Sequence, residues 1–197
     1  TEMYYKHNLD YTYPERSDQH MLVLKQTHKI DVDENYDFVP KNLWFKIKRA
    51  LVAVLLNLVV FPLTILVHGL RIYGRENLKK HKDELKNGAI TISNHVFKWD
   101  YLSVLRAVRP HICYFPAWKV NFESGFHPFM RVLGGLPVPE GDMSAMKAFK
   151  RAMDEVVESG KWLHVFPEGS LWFFYPDIRP LKKAVFKYAV KYDKPVI

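Results

Sequence analysis

His95 and Asp100 stand with four residues between them in NHVFKWD, directly after the apolar run AITI. An imidazole backed by a carboxylate is a general base for a hydroxyl nucleophile. The carboxylate fixes the tautomer at one ring nitrogen and raises the basicity of the other. Spacing alone proves little, because nine histidines supply such pairs by chance, and His28 and Asp33 repeat the interval. His28 lies in the acidic run THKIDVDENYD with no strand before it, which reads as solvated surface. His95 instead closes a strand pattern and precedes a helix pattern. In open α/β sheets, groups just past a strand's carboxyl end face the ligand crevice. Five residues along an ideal helix fall on different faces. The pair can therefore meet only if His95 lies in the turn and Asp100 in the first helical turn. A hydrogen-bonded structural histidine suits the same context, so both readings stand at this point. A second strand, in LHVFPEGS, also runs into a turn, where Gly169 permits a tight bend and Glu168 presents an acid at a sheet edge.

The elements that must position these groups can be read from periodicity. NGAITIS (87–93) predicts a strand, DYLSVLRAV (100–108) a helix stopped by Pro110, and HICYFPAW (111–118) a strand. GFHPFMRVLGG predicts a short helix with a glycine stop, and LPVPEG a strand and turn. DMSAMKAFKRAMDEVVESG is the clearest helix: Asp142 caps it, Met146, Phe149, Met153, Val156 and Val157 form its stripe, and Gly160 ends it. KWLHVF (161–166) is a strand. RPLKKAVFKYAVKY predicts a last helix with Pro180 in its first turn, and KPVI opens a further strand that the sequence leaves unfinished. The expected fold class is α/β: a mixed, largely parallel sheet layered with helices. It is preceded by an N-terminal membrane-associated helical segment.

That segment defines the organisation. Residues 1–40 are a polar, tyrosine-rich extension expected to be partly ordered at best, with HMLVL (20–24) a candidate strand. Residues 41–70 contain ALVAVLLNLVVFPLTILVHGL, which has no Asp, Glu, Lys or Arg and is long enough to cross a hydrocarbon core. Pro62 is expected to kink or split it, giving either a span or a two-helix dip into one leaflet; a buried core helix is the soluble alternative. Both flanks are basic, so charge assigns no orientation. Residues 71–197 form the globular part, and an ending in mid-strand implies that it is C-terminally incomplete. The net charge of +8 favours anionic partners. The single cysteine, Cys113, excludes an intramolecular disulfide within these residues, and a secretory signal is not expected, because no basic-apolar-small cleavage pattern opens them.

The two strand-end motifs, in this order and separation, resemble the NHxxxxD and FPEGT/S blocks of the glycerolipid acyltransferases. GGLPV (134–138) resembles the family's intervening glycine-rich block and KPVI the opening of its last. The resemblance implies a membrane-bound enzyme of phospholipid biosynthesis with its active site facing the cytoplasm. His95 would deprotonate the free hydroxyl of a lysophosphatidic-acid-like acceptor, and Asp100 would orient it. The acyl donor would be a thioester of coenzyme A or acyl carrier protein, used as a co-substrate. Membrane lipids would be partners, and no cofactor, metal or nucleic acid is implied. Asn94, Glu168, Gly169 and Ser170 would shape the acceptor site.

This chain departs from the family pattern at three places. Glu140 stands where the family's phosphate-binding arginine is expected. Ser170 is followed by LWFFYP, which suits either core or an apolar lip. Lys183-Ala184 replaces the usual lysine-glycine. Substitute phosphate ligands are Lys98, Arg131, Lys147, Arg179 and Lys182, with Arg179 and Lys182 foremost. DVDENYD lacks the glycine and final glutamate of a calcium loop. No zinc, P-loop or serine-hydrolase motif occurs. His111 and Cys113 read as buried core. A catalytically silent membrane-anchored lipid-binding or scaffold protein on the same fold is the alternative from another class. An acyltransferase with another lysolipid acceptor, such as another lysophospholipid or an amino-acid-headed lipid, is the nearer one.

Overall fold

The structure, a computed structural model, describes residues 11–197 apart from 23 and 126. The chain enters its first helix through the cap at Asn42, whose side chain accepts from Phe45 N at 2.8 Å. Helix α1 (Leu43–Leu55) passes through one π-helical turn (Leu56–Val60) into α2 (Phe61–His68). Pro62 therefore does not split the segment. It has no N–H for the carbonyl four residues back and its ring crowds that carbonyl; the helix widens ahead of it rather than breaking. The continuous 26-residue helix has a mean hydropathy of 2.7 over its most apolar window, of which only 6% is buried. At 1.5 Å per residue it spans about 39 Å, enough to cross a membrane by length and composition. Leu58 and Leu66, at 73% and 81% exposure, rule out the buried core helix. Asn57 Nδ2 and Thr64 Oγ1 donate back along the helix to Ala53 O and Val60 O, both at 2.7 Å.

The globular part begins with α3 (Arg75–Lys80) and α4 (Lys82–Leu85), then runs β1 (Ile90–Ile92), α5 (Asp100–Val108), β2 (Cys113–Trp118), α6 (Lys119–Glu123), α7 (His127–Leu133), β3 (Gly135–Val138), α8 (Met143–Glu158), β4 (Trp162–Val165) and α9 (Ala184–Tyr192). The four strands are parallel in the order β1-β4-β2-β3. Beyond β1, Ile90 bridges Val196, so the end of the chain adds to the sheet as expected. Strand side chains alternate between two helical layers. Ile90, Leu163, Tyr114 and Leu136 pack with Phe149, Val156 and Val157 of α8 and with Val185 and Ala189 of α9. Trp162, Cys113 and Phe115 face the other way, toward Leu85 of α4, Val108 and Tyr101 of α5 and Phe122 of α6. Helix α8 follows its expected signals: Asp142 accepts from Ser144 N and Ala145 N, and Gly160 takes a left-handed φ of 71°.

Several expectations need correction. Residues 11–40 are not loosely attached, since Phe38 and Val39 enter the core beside Phe149. The described part of HMLVL forms no strand; Val23 and residues 1–10 lie outside the described residues. The last helix starts at Ala184, not near Pro180, because the backbone before it is held elsewhere: Arg179 N donates to Glu168 Oε1 at 3.0 Å and Lys182 N to Pro167 O at 2.8 Å. Cys113 is buried as expected. His111, which precedes β2, is instead exposed and lies flat over Trp162 at 4.2 Å.

Candidate active site

Parallel pairing of β1 with β4 matches Ile92 with Val165. His95 and Glu168 each lie three residues beyond that matched pair, so segments 73 residues apart emerge side by side at the carboxyl edge of the sheet. The chain leaves β1, turns, and enters α5 at Asp100. Asp100 Oδ2 accepts from Val96 N at 2.7 Å and Phe97 N at 2.8 Å, so the turn wraps the carboxylate. The same oxygen lies 3.0 Å from His95 Nδ1. A carboxylate only accepts, so Nδ1 carries the hydrogen and Nε2 presents its lone pair. The imidazole stacks on Phe166, centroid to centroid 4.0 Å and 17° from parallel. Its side chain keeps 22% of its surface and borders a cavity of about 390 Å³.

Glu168 is a hub behind this pair. Its Oε2 accepts from His95 N at 3.0 Å and from Arg179 Nη2 at 2.8 Å. Arg179 Nη1 donates to Ser170 Oγ at 2.7 Å and Ser17 O at 2.9 Å, while Nη2 also reaches Ser170 O. From the far side, Trp172 N donates to His95 O at 3.2 Å and Phe174 N to Val96 O at 2.9 Å. The main chain at His95 and Val96 is thus held by Glu168 on one side and by Trp172 and Phe174 on the other. Gly169 has a φ of 81°, which favours glycine, and the end of the flexible Lys182 side chain lies in the space a Cβ would take.

The residues expected to meet an acceptor separate accordingly. Gly169 borders the cavity, and the Lys182 side chain lies against Gly169. Glu168, Ser170 and Arg179 are at most 3% exposed and face one another, not the cavity. Arg179 is in this way engaged by Glu168, Ser170 and Ser17, with its charge matched by a buried carboxylate. Asn94 is exposed at the strand end. Glu140 accepts from Trp118 Nε1 at 3.0 Å, and Arg131 donates to Asp37 O at 2.5 Å. The LWFFYP run divides: Leu171 and Trp172 are core, whereas Phe174 is 44% exposed. Phe174 borders an apolar groove of about 670 Å³ between α5 and the long helix, where Leu55, Leu56 and Val60 form the opposite wall. Trp99, Leu102 and Leu133 line both this groove and the His95 cavity.

Sequence reasoning passed over two histidines. His20 lines the cavity from the N-terminal extension. His164 reads as an ordinary residue of an apolar strand, yet it lies fully buried beneath the site, 2.9 Å from Thr91 Oγ1 and edge-on to Phe166. Its place in LHVF, one residue after Leu163 and two before Phe166, was the available signal. Burial, reinforced by the charge of His95, pushes the His164 pKa down to about 3. The unfolded chain therefore binds this proton more readily, and stability falls as pH drops from about 6.5 toward 3. Denaturant midpoints of the detergent-solubilised chain at pH 7.5 and pH 5 should differ, and His164→Gln should reduce the difference. An unchanged pH dependence in the variant contradicts this assignment.

A family model described as Acyltransferase matches residues 69–197. No curated protein matches the chain, and no solved structure does.

Proposed function

We propose, for a chain that belongs to the glycerolipid acyltransferase family, that it transfers a fatty acyl group from a thioester to the free hydroxyl of a lysophosphatidic-acid-like acceptor at a membrane. Acyltransferase chemistry follows from the family, whereas the donor, the acceptor and the membrane location are inferred from the site. The observation that carries it is the 3.0 Å contact of His95 Nδ1 with Asp100, which leaves Nε2 as the basic nitrogen of a ring that borders the cavity.

The acceptor O–H proton passes to His95 Nε2 as the oxygen attacks the thioester carbonyl. The tetrahedral intermediate collapses with cleavage of the C–S bond, and the imidazolium returns its proton to the departing thiolate. Asp100 steadies the transient positive charge on the ring. The donor is acyl-CoA or acyl carrier protein. Its acyl chain suits the apolar groove, because Trp99, Leu102 and Leu133 connect that groove to His95. The exposed 26-residue helix forms the far wall of the groove and supports membrane attachment. An active site facing the cytoplasm is proposed from the family resemblance alone. Gly169 and Lys182 are the acceptor-site residues that this reading retains.

A second reading is transfer to an acceptor without phosphate. It is favoured by Glu140 standing where a phosphate-binding arginine is expected and by Arg179 being occupied within the protein. The test supplies the full chain in lipid nanodiscs with labelled acyl-CoA or acyl carrier protein and a panel of lysolipids. Labelled diacyl phospholipid formed from lysophosphatidic acid is expected. Product only from phosphate-free acceptors supports the second reading. Lipid binding without transfer to any acceptor refutes both and leaves the silent scaffold.

A further inference from the structure

The chain ahead of the long helix lies outside the family match, yet residues 16–22 cross the PEGS segment as a strap. Ser17 O receives Arg179 Nη1 at 2.9 Å and Ser170 Oγ at 2.6 Å. Gln19 O receives Trp172 Nε1 at 2.9 Å, and Met21 N donates to Leu171 O at 3.3 Å. His20 is thus pinned through both of its neighbours. Its ring lies flat on Trp118, centroid to centroid 4.6 Å and 6° from parallel, and Trp118 is held in turn by Glu140 at 3.0 Å. Ser170 and Arg179, buried in the motif, serve as the dock for this strap.

His20 borders the same cavity as His95. The walls of that cavity are mostly aliphatic and aromatic; the described polar side chains free to face a ligand are His20, His95, Lys98 and Asn121. The Tyr101 hydroxyl is already given to Cys113 O at 3.0 Å, and the Trp118 N–H to Glu140. We propose that the strap is a working wall of the active site and that His20 binds the phosphate of the acceptor lipid. The charges support this. Burial lowers the proton affinity of His20, and the positive charges of His95, Lys182 and Arg179 push it the same way, against an opposing Asp18. That side of the cavity is therefore short of negative charge. An arriving phosphate supplies it, with the imidazole N–H as donor and Lys182 as the neighbouring cation. Position 140 offers no cation to a phosphate; its carboxylate holds the indole on which His20 rests and so braces the strap.

This inference rests on the proposed acyl transfer, and its test separates the two. His20→Ala and His20→Gln in the full chain are assayed with lysophosphatidic acid and with monoacylglycerol. Each acceptor is paired with acyl-CoA and with a phosphate-free acyl thioester of N-acetylcysteamine. Expected for His20→Ala is a KM for lysophosphatidic acid raised about tenfold or more, with kcat within about threefold and monoacylglycerol unaffected; glutamine restores part of the loss. Equal losses on both acceptors make His20 a packing residue and overturn the proposal, as does no change. A KM effect confined to acyl-CoA reassigns the phosphate to the donor and also overturns it. A wild-type chain inactive on every acceptor removes the acyl-transfer reading. The inference is then judged by quenching of tryptophan fluorescence with lysophosphatidic acid: about tenfold weaker binding in His20→Ala upholds it, and equal affinity overturns it.

Discussion

Replacing His95 with alanine should lower kcat for acyl transfer by about 10²- to 10⁴-fold, with little loss of stability. The acceptor hydroxyl is a weak nucleophile while it keeps its proton, and His95 Nε2 is the lone pair that the Asp100 contact leaves available on a ring bordering the cavity. Asp100 acts through that ring, so the two residues form one unit. The His95→Ala, Asp100→Ala double variant should then cost about as much as His95→Ala alone, not the product of the two losses. The fold should survive loss of the imidazole, because Glu168 and Trp172 hold His95 by its main chain, which alanine retains. Steady-state kinetics and thermal melts on the same preparations separate chemistry from stability. Near-full activity in a folded His95→Ala chain would mean that another group takes the proton.

Arg179→Met should destabilise the chain by about 3–5 kcal/mol, the usual cost of stranding one member of a buried ion pair. Glu168 and Arg179 keep 0% and 2% of their side-chain surface, so water cannot replace the lost partner. The same change strips donors from Ser170 and from Ser17 of the strap, and it loosens the carboxylate that holds His95 N. Activity should fall with stability for that reason, even though Arg179 faces away from the cavity. Adding Glu168→Gln to Arg179→Met removes the stranded charge, keeps an acceptor for His95 N, and should recover part of the loss. Denaturant midpoints in one detergent measure all three chains. A shift below about 1 kcal/mol for Arg179→Met would place the stability of this segment in its apolar packing instead.

Arg179 also marks a limit of reading the chain without its fold. RPLKKAVFKYAVKY carries a helical stripe from its start, yet the helix waits until Ala184. The competing acceptors, the Glu168 carboxylate and Pro167 O, lie more than ten residues away and are invisible to local periodicity. DYLSVLRAV became a helix over the expected residues because its signals are all local: an acidic first turn, an apolar stripe and a stop before Pro110. The strap at residues 16–22 has neither period and takes its order from carbonyls that dock on Arg179, Ser170 and Trp172.

By itself the sequence determined the strands, most of the helices, the long apolar segment and the two strand-end motifs. Caps, turns and hydrophobic periods act over a few residues and need no partner. Tertiary structure alone decided that β1 lies beside β4, which brings His95 to Glu168 and buries Arg179. It also decided that His20 and His164 join the site, one from the strap and one from beneath the sheet edge. The physical reason is that parallel strands pair through backbone groups any sequence carries. Which strands become neighbours is therefore settled by how the two faces of the sheet are covered, and no single segment encodes that.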